Sequence, residues 1–183
     1  MSRTETRLAE LGLQLPETAA PAGLYIPAVV NGSLVFTAGQ LPLVLGELPH
    51  TGKVGDGEGS VTPAEAKADA AQAVLNALAA IKGVIANLDR ISQIVKVTGF
   101  VASDPSFCGQ PGVINGASEL LGDLFGERGQ HARSAVGVAV LPRDAPVEIE
   151  LIVAFSPSVG DPLHDRDVPE IHSVVYPSPS DLA

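Results

Sequence analysis

Residues 133–155 read Arg-Ser-Ala-Val-Gly-Val-Ala-Val-Leu-Pro-Arg-Asp-Ala-Pro-Val-Glu-Ile-Glu-Leu-Ile-Val-Ala-Phe, and the alternation in this stretch decides the fold class. In its second half Val147, Ile149, Leu151, Val153 and Phe155 share one face of an extended chain, while Glu148 and Glu150 begin the other. That pattern predicts a strand over 147–155 with one buried face and one partly polar face. In the first half, Val136, Val138 and Val140 supply one face of a strand over 134–141. Ala135, Gly137 and Ala139 leave its other face flat, so that another backbone or a ligand can come close. Residues 142–146, with Pro at both ends, join the two. Read as a simple hairpin, Arg133 faces Phe155 and Glu148 sits seven residues nearer the turn. At about 3.4 Å per residue the two side chains are then roughly 20 Å or more apart.

Working upstream, Pro111 opens a helix in which Val113, Ile114, Ala117, Leu120, Leu121, Leu124 and Phe125 form one stripe, stopped by Gly126. Ile94–Val101 is β-rich and ends at the turn signal Asp104-Pro105. Thr62-Pro63-Ala64-Glu65 is a capping box with Pro at the first helical position. The apolar stripe behind it, Val74, Leu75, Leu78, Ile81, Ile85 and Leu88, marks a core helix. Residues 43–61 are Gly-rich and aperiodic, which predicts a surface loop able to act as a lid or rim. Asn31-Gly32 signals a hairpin between two short strands in Tyr25–Gln40. Residues 4–13 form a short amphipathic helix closed by Gly12 and Pro16. The order β-β-α-β-α-β-β predicts an α+β domain: a mixed sheet with two helices packed on one face and an open face that needs a cover.

The chain accordingly divides into an N-terminal helical extension at 1–20, one domain at 21–155, and a Pro/Asp-rich tail at 156–183. The tail holds Ile171, Val174, Val175 and Tyr176, apolar enough to dock on a neighbouring surface. A formal net charge of −10 and the absence of a basic stripe disfavour nucleic acid as a partner. The single Cys108 cannot form an intramolecular disulfide, and the N-terminus lacks the apolar core of a secretory signal, so a cytoplasmic location is expected. No apolar run reaches the roughly 18 residues that would imply a membrane partner. His50 and His131 lack acidic or thiol partners at ligand spacing. His164, Asp165, Asp167, Glu170 and His172 in the tail read as a solvated acidic segment, so no metal is expected. Cys108 has no neighbour that would lower its pKa.

What remains is polar residues where a core needs none. Arg133 begins a strand of small residues, and a guanidinium grips a carboxylate bidentately. Glu148 lies on the non-core face of the last strand. On these residues alone each also fits an ordinary surface role, as do Asn115, Tyr25 and Gln40.

Three segments change that balance. Leu34-Val-Phe-Thr-Ala-Gly-Gln-Leu-Pro42, Val95-Lys-Val-Thr-Gly-Phe-Val101, and Arg133-Ser-Ala-Val-Gly-Val-Ala-Val-Leu-Pro142 followed by Val147-Glu-Ile-Glu150 resemble the RidA/YjgF family, once called L-PSP endoribonucleases. The resemblance runs in order from about Pro21 to Phe155. It implies a chorismate-mutase-like fold assembled as a homotrimer around a barrel-like centre, with pockets between adjacent chains. It also implies cofactor-free hydrolysis of enamines and imines such as 2-aminoacrylate to 2-keto acids and ammonia. By position, Arg133 would bind the substrate carboxylate, Glu148 would orient the attacking water, and the Gly39 backbone would contact the substrate. Tyr25, Phe100 and Asn115 would line the pocket. Two positions depart from the family pattern: Ala38 stands where a hydroxyl residue is common, and Ala135 where Cys is common. Both substitutions favour a larger or more apolar imine. They also support an alternative, a non-catalytic or regulatory module that binds small carboxylates. The old ribonuclease label is disfavoured by the charge and by the want of a general acid/base pair. With Arg133 and Glu148 far apart in the hairpin reading, a site needing both is expected to draw on two subunits.

Overall fold

The computed structural model describes residues 2–18 and 23–156. Its elements are α1 (Arg3–Glu10), β1 (Ala28–Asn31), β2 (Leu34–Thr37), α2 (Pro63–Ile85), β3 (Ile91–Ala102), α3 (Gln110–Phe125), β4 (Ala132–Val138) and β5 (Val147–Phe155). The predicted order of strands and helices is thus formed. The predicted tail, with its apolar and acidic residues, lies outside the described residues.

Local signals account for the helix ends. The Thr62–Glu65 capping box is made: Thr62 Oγ1 accepts from the Glu65 N–H, and the Glu65 carboxylate accepts from the Thr62 N–H at 2.9 Å. Helix α2 stops at Ile85, short of Leu88, because Ala86 turns to a left-handed φ of 63°. Leu88 stays buried in a tight turn over 88–90. By length and composition α2 could cross a membrane, but most of it is buried inside the fold, as expected of a core helix. α1 is shorter than expected and is fixed by distant groups. The Asp89 carboxylate accepts from the N–H groups of Arg3 and Thr4 and from Thr4 Oγ1, Lys82 pairs with Glu5, and Arg7 Nε donates to the Asp123 carbonyl.

The strand order is β1-β2-β5-β3-β4, antiparallel throughout except for parallel β3 and β4. Residues 134–155 are therefore not a hairpin. β4 pairs with β3, and the chain then crosses the end of β3, through Arg143 and Asp144 at φ 59° and 61°, to enter β5 on its other side. The physical reason lies in the burial alternation of β5 and β3, which suits central strands flanked on both edges, whereas the small and polar residues of β4 suit an edge. Val97 pairs with both Arg133 and Leu151, and Phe155 faces Ile91 rather than Arg133.

α2 and α3 cover one side of the sheet, against Val35, Val97, Val101, Ile149, Leu151 and Val153. The two helices meet so closely that a Cβ on Gly116 would stand 1.9 Å from the Lys67 carbonyl oxygen. The flat row of β4 also faces this side: a Cβ on Gly137 would meet Gln110 Nε2 at 2.8 Å, so the first side chain of α3 approaches the strand there. On the other side of the sheet lie Phe36, Lys96, Thr98, Phe100, Glu148, Glu150 and Ile152, half-buried, with Val29 and Val136 exposed.

The 43–61 segment is not a free lid. Val54 and Val61 are buried, and Val54 makes bridges to Val61 and to Ser103. Asn76 on α2 donates to the carbonyls of Leu41 and Leu43 at 2.7 and 3.1 Å, and His50 is held by α2.

Candidate functional site

Between Phe36↔Ile152 and Gln40↔Ile149 the chain leaving β2 uses four steps where β5 uses three. This bulge re-aims the chain. Gln40 exchanges both backbone hydrogen bonds with Ile149, at 2.8 and 3.0 Å, and Thr37 Oγ1 accepts from the Leu151 N–H at 2.9 Å. Gly39 is thereby pressed onto Glu148: a Cβ there would lie 1.7 Å from Glu148 Oε1 and 2.7 Å from its Cδ. Burial pushes the Glu148 carboxyl above the usual glutamate range, and Glu150 adds to the rise. Phe100 is the cross-strand partner of Glu148 on the same face. Ala38 donates its N–H to the Pro27 carbonyl, which brings the segment of exposed Tyr25 to this end of the sheet.

Arg133 sits elsewhere. It shares the helix-facing row of Val97, and its Nη1 donates to Asn115 Oδ1 at 2.8 Å and to Ser118 Oγ at 3.1 Å. Ala135, two residues along, is on the same row opposite Gly99. One chain therefore carries two separate groups: Tyr25, Ala38, Gly39, Phe100 and Glu148 at one end of the open face, and Arg133, Asn115 and Ala135 on the helix side of the β4 edge. Arg133 is level with Leu151, three residues from Glu148 on β5, with β3 between them. Strand spacings put their Cα atoms roughly 14 Å apart, with the side chains on opposite faces. This replaces the hairpin estimate, and within one chain the two residues do not meet.

Two residues of the Arg133 group were not expected. Ser118 follows Asn115 by three on α3 and so shares its face. His131, two before Arg133, points to the same side of the strand. His131 is not without partners: its Nε2 lies 3.0 Å from Ser118 Oγ and its Nδ1 2.6 Å from the Gly129 carbonyl. Those partners are neither acidic nor thiol, whereas His50, against expectation, has acidic neighbours. Its Nδ1 is 3.0 Å from Asp69 Oδ2 and its Nε2 3.8 Å from Glu65 Oε1. Sequence spacing hides this pair because the 41–50 segment folds back on α2. Among the described residues no cluster of three or more His, Cys, Asp or Glu side chains is arranged to hold a metal. Two cavities, of about 320 and 510 Å³, follow the N-terminal segment and are lined by neither Arg133 nor Glu148.

The chain is similar to known proteins over most of its length. The family model described as "YjgF/chorismate mutase-like, putative endoribonuclease" matches residues 5–155. Protein TCP17 of Trypanosoma cruzi is 41% identical over 155 residues, covering 84% of this chain and 95% of that protein. The 2-iminobutanoate/2-iminopropanoate deaminase of Escherichia coli K12 is 35% identical over 137 residues, covering 73% and 90%. Among solved structures, the protein Atu1372 of Agrobacterium tumefaciens, of unknown function, superposes with a TM-score of 0.77 at 42% identity, covering 84% of this chain and 93% of that one.

Proposed function

The chain belongs to the YjgF/chorismate mutase-like family, and from that premise we propose that it hydrolyses small carboxylate-bearing imines and enamines to 2-keto acids and ammonia. The observation that carries this reading is the Glu148 carboxyl, half-buried and raised in pKa against the Gly39 backbone. A carboxyl so placed holds its proton more tightly than an ordinary glutamate, as a group that gives a proton to a leaving nitrogen must. The relative named 2-iminobutanoate/2-iminopropanoate deaminase supports the substrate class.

The reaction needs only water. An enamine first takes a proton on its terminal carbon and gives one up from nitrogen, and so becomes the imine. Water oxygen then bonds to C2 as the C=N pair moves to nitrogen, which gains a proton while the water loses one. In the resulting carbinolamine the C–N bond breaks, ammonia leaves with the pair, and the hydroxyl loses its proton as C=O forms. Glu148 gives the proton to the leaving nitrogen and recovers one from the hydroxyl, so it ends unchanged. Arg133 holds the substrate carboxylate through parallel N–H donors.

Because Arg133 and Glu148 lie on opposite faces of one sheet, the pocket combines Glu148 and Gly39 of one subunit with Arg133 of the next, in a homotrimer that also covers the open face. A closed ring treats every such pair alike. Ala38 and Ala135 leave this pocket short of polar atoms, which suits an apolar side chain on the imine.

The test generates imines in situ from a panel of amino acids with an amino-acid oxidase and follows imine decay and ammonia release. The wild-type protein should accelerate both, and Glu148→Gln should not. Binding of a 2-keto acid without acceleration of any imine would instead support the reading as a carboxylate-binding module.

A further inference from the structure

We infer that Ser118 and His131 are positioning residues that lock one edge of the Arg133 guanidinium to α3 and leave its Nε–Nη2 edge to receive the carboxylate. The inference rests on the reading of Arg133 as the substrate anchor.

Hydrogen-bond directions settle the arrangement. Nη1 carries two hydrogens, and two oxygens on successive turns of one helix face stand 2.8 and 3.1 Å away. Each takes one hydrogen, so Nη1 is saturated. Ser118 Oγ, as acceptor from the guanidinium, still has its own hydrogen to give, and His131 Nε2 is 3.0 Å away. Nε2 can accept only if the ring proton sits on Nδ1. Nδ1 is 2.6 Å from the Gly129 carbonyl, an oxygen that can only accept. The chain of bonds therefore runs one way: Arg133 to Ser118, Ser118 to His131, His131 to the Gly129 backbone. That backbone is itself fixed to β3, because Arg128 Nη1 donates to the Ile91 carbonyl and Gln93 Nε2 to the Gln130 carbonyl.

Among the described residues, Nε and Nη2 of Arg133 make no hydrogen bond. They lie on one edge of the planar group and offer two parallel N–H donors, the pattern that matches both oxygens of a carboxylate. A guanidinium without its Nη1 anchors would swing about its flexible stem and lose part of that pre-organisation.

The experiment uses 2-oxobutanoate as a non-reacting probe, with affinity measured by calorimetry, and KM and kcat measured on the imine assay. Ser118→Ala should weaken probe binding and raise KM by about five- to tenfold with kcat held within about twofold, the loss expected for one hydrogen bond that acts through binding. Ser118→Thr, which keeps the hydroxyl, should restore both. His131→Asn, which lacks the Nε2 acceptor, should shift KM in the same direction. Nitrogen NMR of the wild-type protein should show His131 as the Nδ1–H tautomer. Wild-type affinity in both Ser118→Ala and His131→Asn, or an Nε2–H tautomer, would overturn the inference. Arg133→Lys separates the two levels. If Lys keeps full affinity, the anchor reading falls and this inference with it. If Lys loses affinity but neither Ser118→Ala nor His131→Asn does, the inference alone fails.

Discussion

Glu148 Oε1 occupies the space that a side chain at position 39 would need, 1.7 Å from the place of its Cβ. Any residue but glycine at 39 must move the carboxyl, and the end of a glutamate moves cheaply. Gly39→Ala should therefore change thermal stability little while lowering kcat by about tenfold or more, because displacing a reacting group by an ångström is costly in rate. Parallel melting curves and ammonia-release kinetics check this. An unchanged kcat would remove Glu148 from the chemistry.

The opposed faces of Arg133 and Glu148 give a sharper test. Arg133→Ala and Glu148→Gln proteins should each be inactive. Mixed in equal amounts after dissociation and reassembly, random hybrid rings place an intact Arg beside an intact Glu at about a quarter of the sites. Recovery of about that share of wild-type activity is expected. No recovery in hybrids verified by mass spectrometry, or an active monomer in light scattering, would refute a shared pocket.

The raised pKa of Glu148 carries a stability consequence whose sign can be worked out. Its folded-state pKa exceeds its unfolded one, so the charged form is disfavoured by folding. The contribution to stability is whole below the ordinary glutamate pKa and is lost as pH rises through the folded value. Glu148→Gln should thus melt higher than wild type at pH 8, and the gain should vanish at acid pH. Thermal scans across this range measure it.

His50 and Asp69 tie the loop after Gly39 to α2. Burial raises the Asp69 carboxyl, and its hydrogen bond with His50 offsets part of that rise. His50→Ala should leave a buried carboxylate with less compensation and cost about 1–3 kcal/mol at neutral pH. The cost should shrink in acid, where Asp69 takes up a proton. Hydrogen exchange should quicken over 41–50 in the variant, and equal exchange rates would show that the loop holds without this pair.

What could be read from the sequence was what is decided locally or by period. The Thr62–Glu65 box, the hairpin at Asn31-Gly32 and the alternation of Val147–Phe155 each involve residues within a few positions of one another; the box and the alternation are formed as expected, and the hairpin turns one residue later, on Gly32-Ser33, with Asn31 paired to Leu34. The pairing of β4 was not legible in this way. A five-residue connection favours a hairpin, and only competition for the centre of the sheet sends β5 to the far side of β3. The same non-local choice turned the row of Arg133, Ala135 and Gly137 to the helix side of the sheet, where the Gln110 side chain approaches Gly137. Arg133 and Glu148 could be singled out by residue type and by resemblance. Ser118 and His131 could not, because a serine on a helix and a histidine at a strand end carry no signal until the α3–β4 contact is known.

The order β1-β2-β5-β3-β4 has a kinetic consequence. The strand at the middle of the sheet is the last of the described strands, so within the sheet the β1–β2 hairpin and the β3–β4 pair share no neighbouring strand until residue 155 has been made, and α2 alone packs against both halves. Native contacts here have high sequence separation, which slows folding. On a ribosome adding about 5–20 residues per second, the β1–β2 hairpin waits on the order of ten seconds and the β3–α3–β4 unit about one to three before β5 slots between them. Truncations inside 147–155 should for that reason leave the sheet in two aggregation-prone parts joined only through α2, rather than a smaller domain.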